Sequence, residues 1–146
     1  MDPASPPLVF RTLTWIGIIE QLQRTRAERI LKPLGLGFPE FSMLVHFSHG
    51  HPPEKTVTGI ASDMQQLQPA VTKTVAKLVA KGFVKAAPNA ADGRSKVLTM
   101  TAKGRAGLAR ALAAMEPPTM AAFGGWSAAE LEQQEVAGLR ARRAHD

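Results

Sequence analysis

Cysteine is absent from the 146 residues. That one absence removes disulfides, thiolate metal ligands, cysteine nucleophiles and thiol redox sensing together. Also missing is any apolar run long enough to span a membrane. The first residues lack the basic start and apolar middle of a signal peptide, because Asp2 is acidic, Pro3, Pro6 and Pro7 cluster, and Arg11 interrupts the apolar residues. A cytoplasmic protein is the expectation. Catalytic constellations are lacking too: Asp63, Asp92, Glu116 and Glu130 are scattered, with neither a phosphate-cradling glycine motif nor a nucleophile beside a base. Neither an enzyme nor a cofactor is expected. Finally, acidic residues are scarce in one place. Between positions 67 and 105 stands only Asp92, against Lys73, Lys77, Lys81, Lys85, Arg94, Lys96, Lys103 and Arg105.

What is present fits one domain with a net charge of +6, which suits a polyanionic partner. Residues 1–7 read as a loose arm, since their prolines cannot support a helix. A long helix starts near Leu8. Trp15, Ile18, Ile19 and Leu22 follow i, i+3, i+4, i+7 spacing, while Val9, Leu13 and Ile16 form an adjoining apolar line, so the helix has two partners to satisfy. Lys32-Pro33-Leu34-Gly35-Leu36-Gly37 terminates it. Short helices follow over 39–47, with Phe41, Leu44 and Val45 or His46 inward, and over 56–64, capped by Thr56 or Thr58.

The next helix starts at Gln68 with Pro69 in its first position, where a missing N–H costs little. Its periodicity predicts that Val71, Val75, Leu78 and Val79 are buried and that Thr72, Lys73, Thr74 and Lys77 face outward. Gly82 stops it. Two β-prone runs, 83–87 and 97–100, flank a 88–93 loop whose residue types favour turns and positive backbone angles. Thr101 can cap a further helix, which Pro117-Pro118 should end or kink near Met115. After Gly124-Gly125, Ser127 and Glu130 have capping-box spacing, and Leu131, Val136 and Leu139 suit a last amphipathic helix.

Two short helices followed by a hairpin with Arg94, Ser95 and Lys96 at its tip match a duplex-reading arrangement. The second helix would enter the major groove, and the tip would send a guanidinium into the narrow, electronegative minor groove. At Asp92, Arg94 and Met100-Thr101-Ala102-Lys103-Gly104 the chain resembles the MarR family of winged-helix transcription factors. The resemblance implies a mainly α fold with a small β-hairpin wing, a winged helix-turn-helix core at 38–100 and a helical dimerisation region at 8–34 and 101–146. It also implies that Arg94 is the minor-groove residue, that Asp92 holds the wing in position, and that Gln68, Pro69, Ala70, Thr72, Lys73 and Lys77 lie on the recognition helix. This chain departs from the family at Pro69, Ala70, Ala86 and Ala87, where hydroxyl or basic side chains are frequent, and at Gly93, often basic.

The family pattern further implies a homodimer, through Val9, Leu13, Ile16, Leu131 and Leu139, that reads pseudo-palindromic double-stranded DNA as a repressor. A small aromatic or anionic effector would bind a cleft near Trp15, Ile19, His46 and Phe47. Two alternatives carry different chemistry. His46, His49 and His51 could make the protein a metal-sensing regulator, though their spacing and scarce carboxylates argue for no metal. Alternatively, Lys73, Lys77 and Arg94 could meet an acidic protein, making the winged helix a protein-interaction module.

Overall fold

The computed structural model describes residues 5–49 and 52–145, so His51 and the first four residues of the arm lie outside the described residues. Packing divides the chain into two compact units, Met1–Met115 and Glu116–Asp146. Unit 1 holds α1 (Leu8–Leu31), a 3-10 turn (Lys32–Leu34), α2 (Phe38–Ser48), α3 (Val57–Met64), α4 (Gln68–Ala80), β1 (Val84–Pro88), β2 (Lys96–Met100) and the first part of α5 (Ala102–Ala122). The fold is mainly helical with one antiparallel hairpin, as expected.

Its core is drawn from every one of these helices. Leu31 of α1, Met43 and Leu44 of α2, Ile60 of α3, Val71 and Leu78 of α4, Val84 of β1 and Leu98 of β2 are the largest fully buried side chains. Only the last turns of α1 reach this core, through Ala27 and Leu31. From Leu8 to Leu22 its large apolar side chains stay at the surface.

Helix ends are where sequence dictates the path most directly. After α4, Gly82 adopts φ +73°, its N–H meets Val79 O at 2.9 Å, and Phe83 N–H meets Leu78 O at 2.9 Å. This left-handed cap satisfies the orphan carbonyls and turns the chain into β1. Thr101 ties the other end of the hairpin down: its Oγ1 donates to Gly82 O at 2.6 Å and accepts from Gly104 N–H at 3.0 Å. Gly104 lies so close to β1 that a Cβ there would stand 2.1 Å from Phe83 O.

A short stretch before α3 joins the hairpin. Lys55 N donates to Leu98 O at 2.9 Å and Leu98 N to Lys55 O at 2.7 Å, an isolated antiparallel bridge that leaves β2 flanked on both sides. Nothing in the local sequence announces this pairing.

Unit 2 holds the end of α5 and α6 (Ala128–His145). Pro117 and Pro118 lie inside α5, which runs on to Ala122 instead of ending near Met115. Prolines remove donors from the ladder, but the alanines on both sides favour helix strongly enough for it to resume. Ser127 and Glu130 form the expected capping box, with Ser127 N–H on Glu130 Oε2 at 2.6 Å and Glu130 N–H on Ser127 Oγ at 3.1 Å. Phe123 and Trp126 meet edge to face at 5.4 Å. No described residue of α6 is buried.

Candidate nucleic-acid interface

Helix α3 begins at Thr56, whose Oγ1 accepts the Gly59 N–H at 3.1 Å. It ends at Gln65, the one described non-glycine residue with positive φ, at +53°. A left-handed residue with a side chain costs roughly 1–2 kcal/mol. Gln65 offsets part of that by donating its Nε2 to Ser62 O at 2.7 Å, while Gln66 N–H takes Ala61 O at 3.0 Å. Leu67 then runs extended and α4 starts, so the two helices form a helix-turn-helix.

The buried side of α4 consists of Val71, Thr74, Val75 and Leu78. Two residues thus differ from the periodicity-based expectation. Thr74 faces inward, and it can because its hydroxyl donates to Ala70 O at 3.1 Å, leaving no donor unpaired in the core. Val79 is exposed. Gln68, Pro69, Ala70, Thr72, Lys73, Ala76 and Lys77 all lie at the surface.

Lys81 is the second finding that sequence reasoning missed. Its ammonium donates to both Gly35 O and Glu40 Oε2, and Glu40 is 6 % exposed. Glu40 Oε1 in turn accepts Gly37 N–H at 3.3 Å at the start of α2. This cation staples α4 to α2 and is unavailable to a partner. Arg105 is engaged as well, donating Nη1 to Met100 O at 3.2 Å, and Lys103 lies 5.9 Å from the Phe83 ring centre. Lys73, Lys77, Lys85, Arg94 and Lys96 remain exposed with no ion-pair partner among the described residues.

In the wing, β1 and β2 pair from Val84 with Met100 to Pro88 with Lys96. The connecting loop contains no positive φ, contrary to the expectation from its residue types. Side chains do the turning instead. Asn89 Oδ1 accepts Ala91 N–H at 3.0 Å, Asn89 Nδ2 donates to Ser95 Oγ at 2.9 Å, and Asp92 Oδ1 accepts Arg94 N–H at 3.0 Å. Asp92 therefore fixes the backbone from which Arg94 projects. Between wing and helix lies a cleft of about 660 Å³, lined by Thr56 and Thr58, by Gln68, Thr72 and Ala76 of α4, and by Arg94, Ser95 and Lys96. Ala70, Lys73 and Lys77 line a separate hollow of about 310 Å³ towards Gly37 and Glu40.

Residues 34–95, from the end of the 3-10 turn to the wing tip, match the sequence profile of the MarR family. Over this segment the chain is similar to the MarR family. A Streptomyces coelicolor MarR-family transcriptional regulator is 26 % identical, with TM-score 0.72 and 94 % of each chain covered. A MarR-family regulator from Rhodococcus is 20 % identical at TM-score 0.79, covering 91 % of this chain and 94 % of its own. A cysteine-to-serine variant of MarR from E. coli, solved with operator DNA, is 18 % identical at TM-score 0.75, covering 93 % of this chain and 99 % of its own. No curated protein sequence matches this chain closely enough to count as a relative. The fold is that of these solved MarR-family transcriptional regulators.

The remaining sequence-predicted residues fall as follows. Val9, Leu13 and Ile16 of α1, and Leu131 and Leu139 of α6, are exposed. Trp15 and Ile19 are exposed on α1, whereas Phe47 is buried and lines a cavity of about 410 Å³ with Arg105, Leu108 and Leu112. His46 Nε2 lies 3.5 Å from Asp63 Oδ2, linking α2 to α3. His49 bonds Val45 O at 2.7 Å through Nδ1 at the end of α2. Among the described residues no group of His, Asp and Glu could hold a metal ion, and no helix is long and apolar enough to cross a membrane.

Proposed function

We propose that this chain binds double-stranded DNA sequence-specifically as a cytoplasmic homodimer and represses transcription until a small aromatic or anionic effector binds. The observation that carries the DNA reading is the acid-poor surface shared by α4 and the wing: Lys73, Lys77, Lys85, Arg94 and Lys96 are exposed, and Asp92 is turned onto the Arg94 backbone. Gln68, Pro69, Ala70, Thr72, Lys73 and Lys77 serve the major groove, and Arg94, Ser95 and Lys96 the minor groove and adjoining phosphates. The likeness to a MarR solved with operator DNA supports the same reading.

The homodimer is supported by α1, whose Val9, Leu13, Ile16 and Leu22 are all more than half exposed. A monomer rarely leaves so continuous an apolar surface in water. Residues 8–34 and 101–146 supply the dimer contacts and residues 38–100 read DNA. Paired heads would meet major grooves about 34 Å apart, so the operator is a pseudo-palindrome. An effector near Trp15, Ile19, His46 and Phe47 relieves repression by favouring a head separation that does not fit the operator.

Selection of genomic fragments with purified protein, followed by footprinting at two salt concentrations, tests this. A protected pseudo-palindrome with half-sites one helical turn apart is expected, with affinity falling steeply as salt rises. Diffuse binding erased by salt would overturn operator recognition and favour an acidic protein partner.

A further inference from the structure

A recognition helix usually reads base edges with long hydrogen-bonding side chains. In α4 these are scarce. The buried residues Val71, Thr74, Val75 and Leu78 fix its inward direction. At 100° per residue the opposite side belongs to Pro69, Ala76 and Ala80, with Lys73 beside them. At the head of the helix stands Leu67, 79 % exposed, more than any other large hydrophobic side chain described. The part of the reading head farthest from the core is therefore apolar at its tip.

Its border is not. Lys73 and Lys77 stand on one side and Arg94 and Lys96 on the other, with no acidic residue between Leu67 and Asp92. An apolar tip set in a cationic rim fits an anionic surface that carries apolar groups at the bottom of a groove. In the major groove of duplex DNA, that group is the thymine C5 methyl.

We propose that Leu67, Pro69 and Ala76, with the methyl of Thr72, select the operator by burying thymine methyl groups. This rests on the DNA reading above and deepens it. The apolar residues read the methyls, while Lys73, Lys77 and the wing hold the phosphates. Gln68, exposed one residue after Leu67, carries an amide that can both accept from and donate to an adenine. Losing one buried methyl weakens binding about fourfold, at the usual free energy of burying one carbon group.

The test uses the full-length protein and the operator recovered by selection. Each protected thymine is replaced by deoxyuridine, which removes only the methyl, and affinity is read by fluorescence anisotropy. The expected result is about fourfold weaker binding at each contacted position, and about sixteenfold when the symmetric positions of both half-sites are replaced. Leu67→Ala, a change at an exposed position, should shrink the thymine-over-uracil preference and leave the salt dependence unchanged. Equal affinity for the thymine and uracil duplexes overturns the proposal. So does a preference that Leu67→Ala leaves intact at every position. Failure of both duplexes to compete with random DNA removes the DNA reading itself, and methyl selection with it.

Discussion

Leu78 of α4 and Leu22 of α1 are the same residue type on helices of the same unit, with opposite surroundings. Leu78 is 0 % exposed, while Leu22 is 64 % exposed. The difference extends to their whole neighbourhoods. Around α4 the C-terminal cap is closed by Gly82 and Phe83, Thr74 has its hydrogen bond, and Glu40 has Lys81. Along α1 the only buried residues are Ala27 and Leu31. The core around α4 is closed within the chain, whereas α1 leaves its large apolar side chains from Leu8 to Leu22 exposed. On the proposed function, DNA reading and association use different surfaces, and mutation should affect one without the other.

The largest effect is expected from Leu78→Ala, which opens a cavity where all the reading elements meet. Urea denaturation should show a loss of about 2–5 kcal/mol, with DNA binding lost as the head unfolds. A smaller loss would mean that the head is looser than its packing implies. Next comes Leu22→Asp, which should weaken the dimer by about 2–4 kcal/mol, the range of an interface hot spot, and leave the monomer folded. Analytical ultracentrifugation with circular dichroism separates those outcomes, and a stable dimer would contradict the role given to α1.

Arg94→Ala should weaken operator binding by about 1–3 kcal/mol, the range of one well-placed base contact. Melting temperature and dimer mass should stay unchanged, because the side chain is exposed and holds nothing in the core. Unchanged affinity in a binding titration removes the wing from the mechanism. Asp92→Ala should have the smallest effect, about 0.5–1.5 kcal/mol, since it releases only the Arg94 N–H and the wing's shape. A loss exceeding that of Arg94→Ala would show that Asp92 does more than orient its neighbour.

Much of this was legible in the sequence where the cause is local. Thr56, Gly82 and the Ser127 and Glu130 pair announce helix ends within a few residues of their partners, and the structure has them there. Long-range pairings were not legible. Lys81 meets Glu40 across 41 positions, and Lys55 bridges Leu98 across a similar gap, with no local pattern to mark either. The phase of α4 was read only in part. Periodicity gives the spacing of a buried face but not its centre, and that centre moved far enough to turn Thr74 in and Val79 out. Among the candidate site residues, Gln68, Thr72 and Arg94 share one cleft, which the helix and wing motifs together imply. That Leu67 is the most exposed large hydrophobic side chain among the described residues could be learned only from the fold.

The wing loop turns on hydrogen bonds among its own residues, from Asn89 to Ala91 and Ser95 and from Asp92 to Arg94. Its shape therefore exists before any partner arrives. A loop that had to be ordered on contact would lose backbone entropy at every residue, roughly 1–2 kcal/mol each. Arg94 is presented from a loop already held in place, so the entropy that remains for it to lose is chiefly that of its own side chain.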